Sequence, residues 1–119
     1  MAGLVNASKD IMLTSLASTV EFVSLHTADP STDGGSEVSG GTYARRPVEW
    51  AAASSGSVSS SATVVFNVPG DGTTITHLGY WSASAAGTFY GSRALNQSQT
   101  YGSSGTYTIS AGNLTETLG

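Results

Sequence analysis

The chain has 119 residues, a formal net charge of −4 at neutral pH and no cysteine. This length suits one domain with a modest core, the negative charge argues against a nucleic-acid backbone as a partner, and the lack of cysteine excludes a disulfide framework and a thiolate site. Serine, threonine and glycine supply 50 of the residues and charged residues only 10%, which is typical of an all-β, surface-facing protein rather than an ordinary cytosolic enzyme.

Residues 5–17 carry the only helical pattern. Apolar residues recur there at three- and four-residue steps: Ala7, Ile11, Met12 or Leu13, and Leu16. This spacing predicts one apolar helical face, and Asn6 or Ser8 is expected to cap the start. A helix of about three turns is marginal alone. Its apolar stripe must therefore pack on its own domain, which we favour, or on a neighbouring subunit.

From residue 19 onward the periodicity changes to two, which predicts strands. The expected strands cover residues 19–27, 46–53, 58–68, 74–82, 88–95, 99–101 running on into 106–109, and 113–118. Gly79 inside a strand predicts a bulge or a close backbone approach. Short antiparallel strands joined by Gly-rich turns predict a single β-sandwich or jelly-roll domain over residues 1–119, with one short N-terminal helix.

Candidate catalytic residues are few. Only His26 and His77 could act as imidazole bases, and both lie within strand patterns rather than on loops. Functional histidines normally have clustered partners, and no serine lies in a Gly-x-Ser-x-Gly elbow. We therefore predict that the protein is not an enzyme and uses no cofactor.

Three carboxylates, those of Asp29, Asp33 and Glu37, follow one another at four-residue spacing in a Gly-containing loop. Oxygen-rich loops can hold Ca²⁺, but this spacing does not match the alternate ligands of an EF-hand. Acidic loop residues are usually just solvated. We therefore predict no metal site and keep these three residues as a weak candidate.

A basic pair, Arg45 and Arg46, follows Tyr43 and a Gly-Gly pair. Arginine and tyrosine are enriched at protein interfaces, and glycine lets a backbone approach a neighbour closely. We predict that Tyr43, Arg45 or Arg46 contacts another subunit. Adjacent strand residues point to opposite faces, so one arginine of the pair can equally be solvated.

Aromatic residues concentrate in the second half of the chain: Tyr80, Trp81, Phe89, Tyr90 and Tyr101. Aromatic faces can stack on sugars, but packing in the core is the default role of aromatic side chains on strands. A glycan platform is therefore the weaker interpretation.

Several segments form a recognisable set of sequence motifs: residues 4–16, 23–30 (VSLHTADP), 37–45 (EVSGGTYAR), 76–81 (THLGYW), 87–91 and 111–118. Together they cover nearly the whole chain. In these motifs the chain resembles a family of small tailed-bacteriophage virion proteins, described as tail-fibre-like or head-decoration proteins.

The resemblance implies a virion structural protein. We favour a capsid decoration (cement) protein that binds the outer capsid surface and stabilises the particle, because a fibre usually needs a shaft or repeats. The alternative is a tail fibre or minor tail protein that binds a host receptor or glycan. Expected partners are the major capsid protein or other virion subunits, and copies of the chain itself, a trimer among them. No apolar run reaches the ~20 residues of a membrane span, so synthesis in the host cytoplasm is expected, and the resemblance implies a place on the virion surface.

Overall fold

The computed structural model of the protein describes residues 4–117. It contains one helix and eight strands: α1 Asn6–Thr19, β1 Phe22–His26, β2 Arg46–Pro47, β3 Ser57–Ser59, β4 Val64–Val68, β5 Thr73–Trp81, β6 Phe89–Tyr101, β7 Gly105–Ile109 and β8 Thr115–Thr117. Every strand pairing is antiparallel. The predicted all-β fold with one short helix is confirmed.

The strands form a four-stranded sheet in the order β2-β1-β5-β6 and two smaller pairs, β3–β8 and β4–β7. One hydrophobic cluster joins the large sheet to the β4–β7 pair. The large sheet contributes Val23, Leu25, Ile75, Leu78 and Tyr80 to it, and the pair contributes Val64, Phe66, Val68 and Ile109. The core therefore lies between the large sheet and the β4–β7 pair.

Strand β1 is buried on both faces. Val23 and Leu25 point into the hydrophobic cluster, whereas Ser24 and His26 alternate with them and are also 0% exposed. The second face is covered by residues 27–45, here called the connection, which joins β1 to β2. An antiparallel sheet often leaves one face to water, but at β1 the second face of this sheet carries a polar layer under the connection, whereas on β6 exposed residues alternate with partly buried ones.

The strand predicted over residues 58–68 is two strands in the structure. Burial alternates as predicted, with Val58, Ser60, Val64, Phe66 and Val68 all buried. However, β3 pairs with β8 and β4 pairs with β7. Between them the Ser60 N–H donates to the Leu114 carbonyl at 2.8 Å, and the Ser60 hydroxyl accepts from the Gly112 N–H at 3.2 Å. The chain thus changes partners at Ser60 while its buried face continues.

The strand predicted over residues 46–53 shortens to the two residues of β2. Beyond them the Val48 N–H donates to the Glu21 carbonyl at 3.0 Å, and the Ala51 N–H donates to the Ser59 carbonyl at 2.8 Å. The segment therefore leaves the edge of β1 and crosses toward β3, so no single partner strand extends it.

The C-terminal strands also differ from expectation. Residues 99–101 form the end of β6, and a turn at residues 102–104 separates them from β7. The strand predicted over 113–118 shortens to β8, and residue 118 lies outside the described residues. A bulge-like register shift falls between Tyr80 and Trp81, next to Gly79, as the glycine predicted.

Helix α1 begins one residue later than predicted and ends two residues later. Its N-cap is Val5 and no side chain caps it, so the predicted cap at Asn6 or Ser8 is wrong. The helix packs on its own domain through Leu13, which is 1% exposed, and through Asp10, whose carboxylate accepts the Gly56 N–H at 2.8 Å. Within residues 4–117, no helix is long and apolar enough to cross a membrane.

Candidate interaction surfaces

The connection is held along the outer edge of β1. The Leu25 carbonyl accepts the Val38 N–H at 2.9 Å, and the Leu25 N–H donates to the Tyr43 hydroxyl at 2.9 Å. The Tyr43 ring stacks on Phe66, with 6.4 Å between centroids. Tyr43 therefore fills the position of a missing strand neighbour, and its hydroxyl satisfies a backbone donor at the sheet edge.

Glu37 is the acceptor at the centre of the connection. Its carboxylate accepts the Tyr43 hydroxyl at 2.9 Å and pairs with the Arg45 guanidinium at 3.0 Å. A second bond from Arg45 Nε at 3.1 Å makes the arginine–carboxylate pair bidentate, which is the stronger geometry. Burial, together with the nearby Glu37 charge, raises the pKa of Tyr43 above its ordinary value. Tyr43 therefore stays protonated, and its hydroxyl donates a hydrogen bond to Glu37.

Arg45 reaches across the connection to the turn after β5. Its guanidinium donates to the carbonyls of Ala83 at 3.1 Å and Ala86 at 2.8 Å. Its Cζ lies 3.5 Å from the centroid of the Trp81 ring, a cation–π contact, and the side chain is only 9% exposed. Arg45 thus fastens the connection to the β5–β6 turn inside one chain.

A chain of hydrogen bonds runs under the connection. The Trp81 indole N–H donates to the Ser24 hydroxyl at 2.8 Å, and this hydroxyl lies 2.6 Å from His26 Nε2. His26 Nδ1 lies 2.8 Å from the Gly35 carbonyl. Because a carbonyl only accepts, Nδ1 carries the proton and Nε2 accepts from Ser24. Burial lowers the pKa of His26, which matches a neutral ring with both nitrogens satisfied.

Gly79 makes room for this polar chain. A Cβ built on Gly79 would lie 2.5 Å from His26 Nε2 and 2.5 Å from the Ser24 hydroxyl. The predicted close approach therefore exists, and what approaches the glycine is a pair of polar side chains. Ser24 and His26 stand two residues apart on one strand face opposite Gly79, a pattern in the sequence that could have revealed their contact.

The three carboxylates of the weak metal candidate each bind a different partner within the chain. Asp29 accepts the Ser31 N–H at 2.9 Å, Asp33 accepts the Gly35 N–H at 2.9 Å, and Glu37 pairs with Arg45. In the described part of the chain, no group of three or more His, Asp or Glu residues could hold a metal ion. Asp29 and Asp33 act as turn residues that bond their own backbone two positions on.

The predicted interface residues differ in what surrounds them. Tyr43 and Arg45 have partners within the chain, as described above, whereas Arg46 is exposed on β2 at the edge of the large sheet. Contact of these residues with another subunit stays a prediction, and Arg46 is the member whose side chain is exposed to meet one.

The aromatic candidates are similarly divided. Tyr80 and Trp81 are buried, at 6% and 7% exposed, whereas Tyr90 is 41% exposed. Phe89 and Tyr101 are partly buried. A sugar-stacking face, if built from this set, rests on Tyr90.

A second charged cluster, not predicted from the sequence, joins β5, β6 and β8. The Tyr80 hydroxyl donates to Glu116, and Arg93 pairs with Glu116 at 3.3 Å and also donates to the Thr115 carbonyl. The arginine is 38% exposed and the glutamate 30%. Burial, with the Glu116 charge, raises the pKa of Tyr80, so this phenol stays protonated. The pairing of distant strands could not be read from sequence spacing.

Helix α1 exposes most of the apolar stripe that was expected to be covered. Of the predicted stripe only Leu13 is buried among the large residues. Six large hydrophobic residues are exposed in the described chain, and four of them belong to this helix and its cap: Val5 at 66%, Ile11 at 72%, Met12 at 42% and Leu16 at 37%. Clustered exposed apolar residues mark an interaction surface.

The comparison with curated proteins found no match. A family model described as Gp80, podophage GP4 fiber I protein gp80, matches residues 4–117. This match spans nearly all of the chain and confirms the resemblance to tailed-phage virion proteins. The chain therefore belongs to the podophage GP4 fiber I protein gp80 family and is a fibre-like structural protein of a tailed-phage virion.

Proposed function

We propose that the protein is a subunit of a virion fibre and acts by binding other virion subunits rather than by chemistry. The observation that carries this proposal is the family match over residues 4–117 to a protein described as a fiber protein. The described residues are also elongated, with principal extents of 47 × 26 × 24 Å. A rod-like subunit with an exposed apolar helix suits end-to-end or side-by-side assembly.

The buried histidine supports a non-enzymatic role. Ser24 and His26 lie 2.6 Å apart, as a nucleophile and its base would. Both side chains are 0% exposed, and the serine oxygen already accepts a hydrogen bond from the Trp81 indole N–H. A substrate could reach this hydroxyl only by displacing the connection. We therefore expect no hydrolase activity from this pair.

In this proposal the connection and the helix have separate tasks. The Glu37–Arg45–Tyr43 cluster holds the connection rigid and so places the exposed Arg46 on the sheet edge. The helix offers its exposed apolar residues, Val5, Ile11, Met12 and Leu16, to a neighbouring subunit. A rigid connection loses less conformational entropy on binding. It therefore favours assembly even if only some of its residues contact the partner.

Capsid decoration is the second candidate. Residues 4–117 share one core around a single large sheet, and a small unit of this kind suits binding in many copies to a capsid surface. A protein that binds only the assembled shell would stabilise that shell by mass action. In either role the proposed partners are virion subunits and the proposed location is the particle surface.

Locating the protein on purified particles tests both candidates. Antibodies against the chain, visualised with gold in the electron microscope, are expected to label tail-associated fibres. Separated heads and tails, probed by immunoblot, should give the signal in the tail fraction. Label spread over the capsid faces would contradict the fibre role and favour decoration. A protein missing from the particles would contradict both.

A further inference from the structure

A small cleft, here called the flank cleft, opens between β6 and β7. Its volume is about 210 Å³, and it is lined by Leu78 and residues 93–97, 107–109 and 113–114. Leu78, Ile109 and Leu114 in this lining are buried members of the hydrophobic cluster, whereas Asn96, Gln97 and Asn113 are exposed. The flank cleft therefore has an apolar base and a polar rim.

An irregularity in β6 supplies part of this rim. From Ile75 to His77, β5 advances two residues, whereas their paired positions on β6, Gln99 and Ala94, lie five residues apart. This stretch of β6 is therefore three residues longer than its partner, where an ordinary β-bulge inserts one extra residue. Both exposed amide residues of β6 that line the cleft lie in this stretch. Bulges commonly re-aim side chains beside binding sites.

Side-chain amides are concentrated at the flank cleft. The chain has four asparagines and two glutamines, and three of these six residues, Asn96, Gln97 and Asn113, line the cleft. An amide side chain offers both donors and an acceptor, which matches a hydroxyl group that donates and accepts. Tyr107 adds a partly buried aromatic ring, whose face is apolar. The lining thus combines an apolar ring face with groups that bind hydroxyls.

The charges and the size of the flank cleft argue against other ligand classes. Among the described residues that line it, none is Asp, Glu or His, so it lacks the side chains that usually hold a metal ion. Its one cation, Arg93, is paired with Glu116, and the net charge of −4 disfavours an anion. Its volume lies below the about 300–1,000 Å³ of pockets for drug-sized ligands. A small, uncharged ligand with several hydroxyls fits best.

We propose that the flank cleft binds one uncharged sugar residue, with Asn96, Gln97 and Asn113 bonding its hydroxyls and Tyr107 packing against its ring. The exposed Tyr90 does not line this cleft, so the site is separate from a stacking face built on that residue. The inference goes beyond the proposed function, because assembly with virion subunits requires no sugar. Sugar binding and the place of the protein on the particle can therefore fail separately.

An NMR titration of the ¹⁵N-labelled full chain tests this proposal. The probes are glucose, galactose, mannose, rhamnose and N-acetylglucosamine, with glucuronate and inorganic phosphate as anionic comparisons. At least one neutral sugar should give saturable shifts of the side-chain amide signals of Asn96, Gln97 and Asn113. The signals of Asn6 on α1 and Asn67 on β4 should stay unchanged. No saturable shift from any of the five sugars, or tighter binding of an anion, would overturn the proposal.

Two matched double variants locate the binding. Asn96→Ala with Gln97→Ala should weaken binding of the best sugar about 10-fold, because two hydrogen bonds to its hydroxyls are lost. Asn67→Ala with Gln99→Ala removes the same residue types at exposed strand positions that do not line the flank cleft, and it should bind like the wild type. Substitutions at exposed positions change stability little, so both variants should fold. Equal losses in the two variants, or no loss in the first, would contradict the proposed site.

Discussion

The connection and helix α1 both pack on the β-strands, yet they use opposite kinds of side chain in opposite ways. The connection carries the tyrosine and arginine typical of interfaces, and it uses Tyr43 and Arg45 within the chain. The helix carries the apolar stripe typical of a docked element, and it exposes most of that stripe. Residue type alone therefore does not locate an interface. What decides is whether a partner for that residue already lies within the chain.

The effect of burial on stability can be measured, because two arginines in the protein each pair with a glutamate but differ in exposure. The Arg45 side chain is 9% exposed, whereas that of Arg93 is 38% exposed. If the connection is a structural element, its arginine should contribute far more to stability than the arginine near the surface.

The largest expected effect is that of Arg45→Ala. The substitution removes the bidentate pair, both carbonyl bonds and the contact with Trp81, and it leaves Glu37 without its cation. Breaking one partner of a well-packed ion pair costs about 3 kcal/mol, which denaturant unfolding followed by tryptophan fluorescence would measure. Arg46→Ala is the matched control and should change the free energy of unfolding by less than about 0.5 kcal/mol. Equal losses in the two variants would show that the cluster does not hold the connection.

A somewhat smaller effect is expected at Gly79. In Gly79→Ala the new methyl group meets His26 and Ser24 at 2.5 Å, so the polar chain under the connection must move. Overpacking of this kind costs about 2 kcal/mol, measured by the same unfolding assay. Gly102→Ala is the control, since a Cβ there has no heavy atom within 4 Å. Similar stability in both variants would mean that β1 and β5 are less closely packed than the geometry shows.

The polar chain under the connection also predicts a dependence on pH. Burial lowers the pKa of His26 from its ordinary value of 6.5, so the unfolded chain binds the proton more readily than the folded one. Stability should be complete above about pH 6.5, fall as the pH drops through the interval down to the lowered pKa, and level off below it. Glu37, Arg45 and His77 are the charged or titratable groups that act on His26.

Thermal unfolding between pH 8 and pH 5 measures this dependence. His26→Asn, whose side chain is uncharged at every pH, should lower stability at pH 8 but flatten the fall below pH 6.5. His77→Gln is the comparison and should change the profile far less than His26→Asn, because His77 is the weakest of the groups that act on the pKa of His26 and bonds to Thr76 on the strand rather than to the connection. A profile unchanged in His26→Asn would assign the acid sensitivity to other groups.

Arg93→Ala supplies the surface half of the arginine comparison. Its pair with Glu116 is partly solvated, and such pairs contribute about 1 kcal/mol or less. Denaturant unfolding should therefore place this variant between the wild type and Arg45→Ala. A loss as large as that of Arg45→Ala would mean that the contact of Arg93 with the Thr115 carbonyl, rather than side-chain burial, sets the strength of the pair.

The faces of the strands could be predicted from the sequence, but their partners could not. Alternation over residues 58–68 correctly identifies Phe66 and Val58 as buried, because side chains alternate between faces whatever strand lies alongside. The change of partner at Ser60 depends on where residues 112–114 arrive. That is a long-range property, and the local pattern of residues 58–68 contains no information about it.

The candidate sites show the same division between local and long-range information. The contact of Tyr43 or Arg45 with another subunit stays a prediction, and the sequence could not show that Glu37 and Trp81 would be close enough to bind these residues within the chain. For the helix, periodicity found the apolar residues, while only packing could reveal that Leu13 is buried and Ile11 is not. Pairing partners and covered faces are set by tertiary structure, which the local pattern of residues does not specify.

The smallest expected effect concerns calcium and the acidic residues of the connection. Asp29 and Asp33 each bond a backbone N–H two residues on, and Glu37 is paired with Arg45. A Ca²⁺ ion needs six to eight oxygen ligands at about 2.3–2.6 Å. Binding through these carboxylates would compete with all three interactions, among them the pair of Glu37 with Arg45. We expect the melting temperature to be the same with millimolar CaCl₂ and with a chelator. Asp33→Asn, which keeps a side-chain oxygen for the turn, should behave alike in both. A calcium-dependent rise of several degrees that disappears in Asp33→Asn would show that the connection can reorganise around an ion, and its rigidity would then be conditional rather than built into the chain.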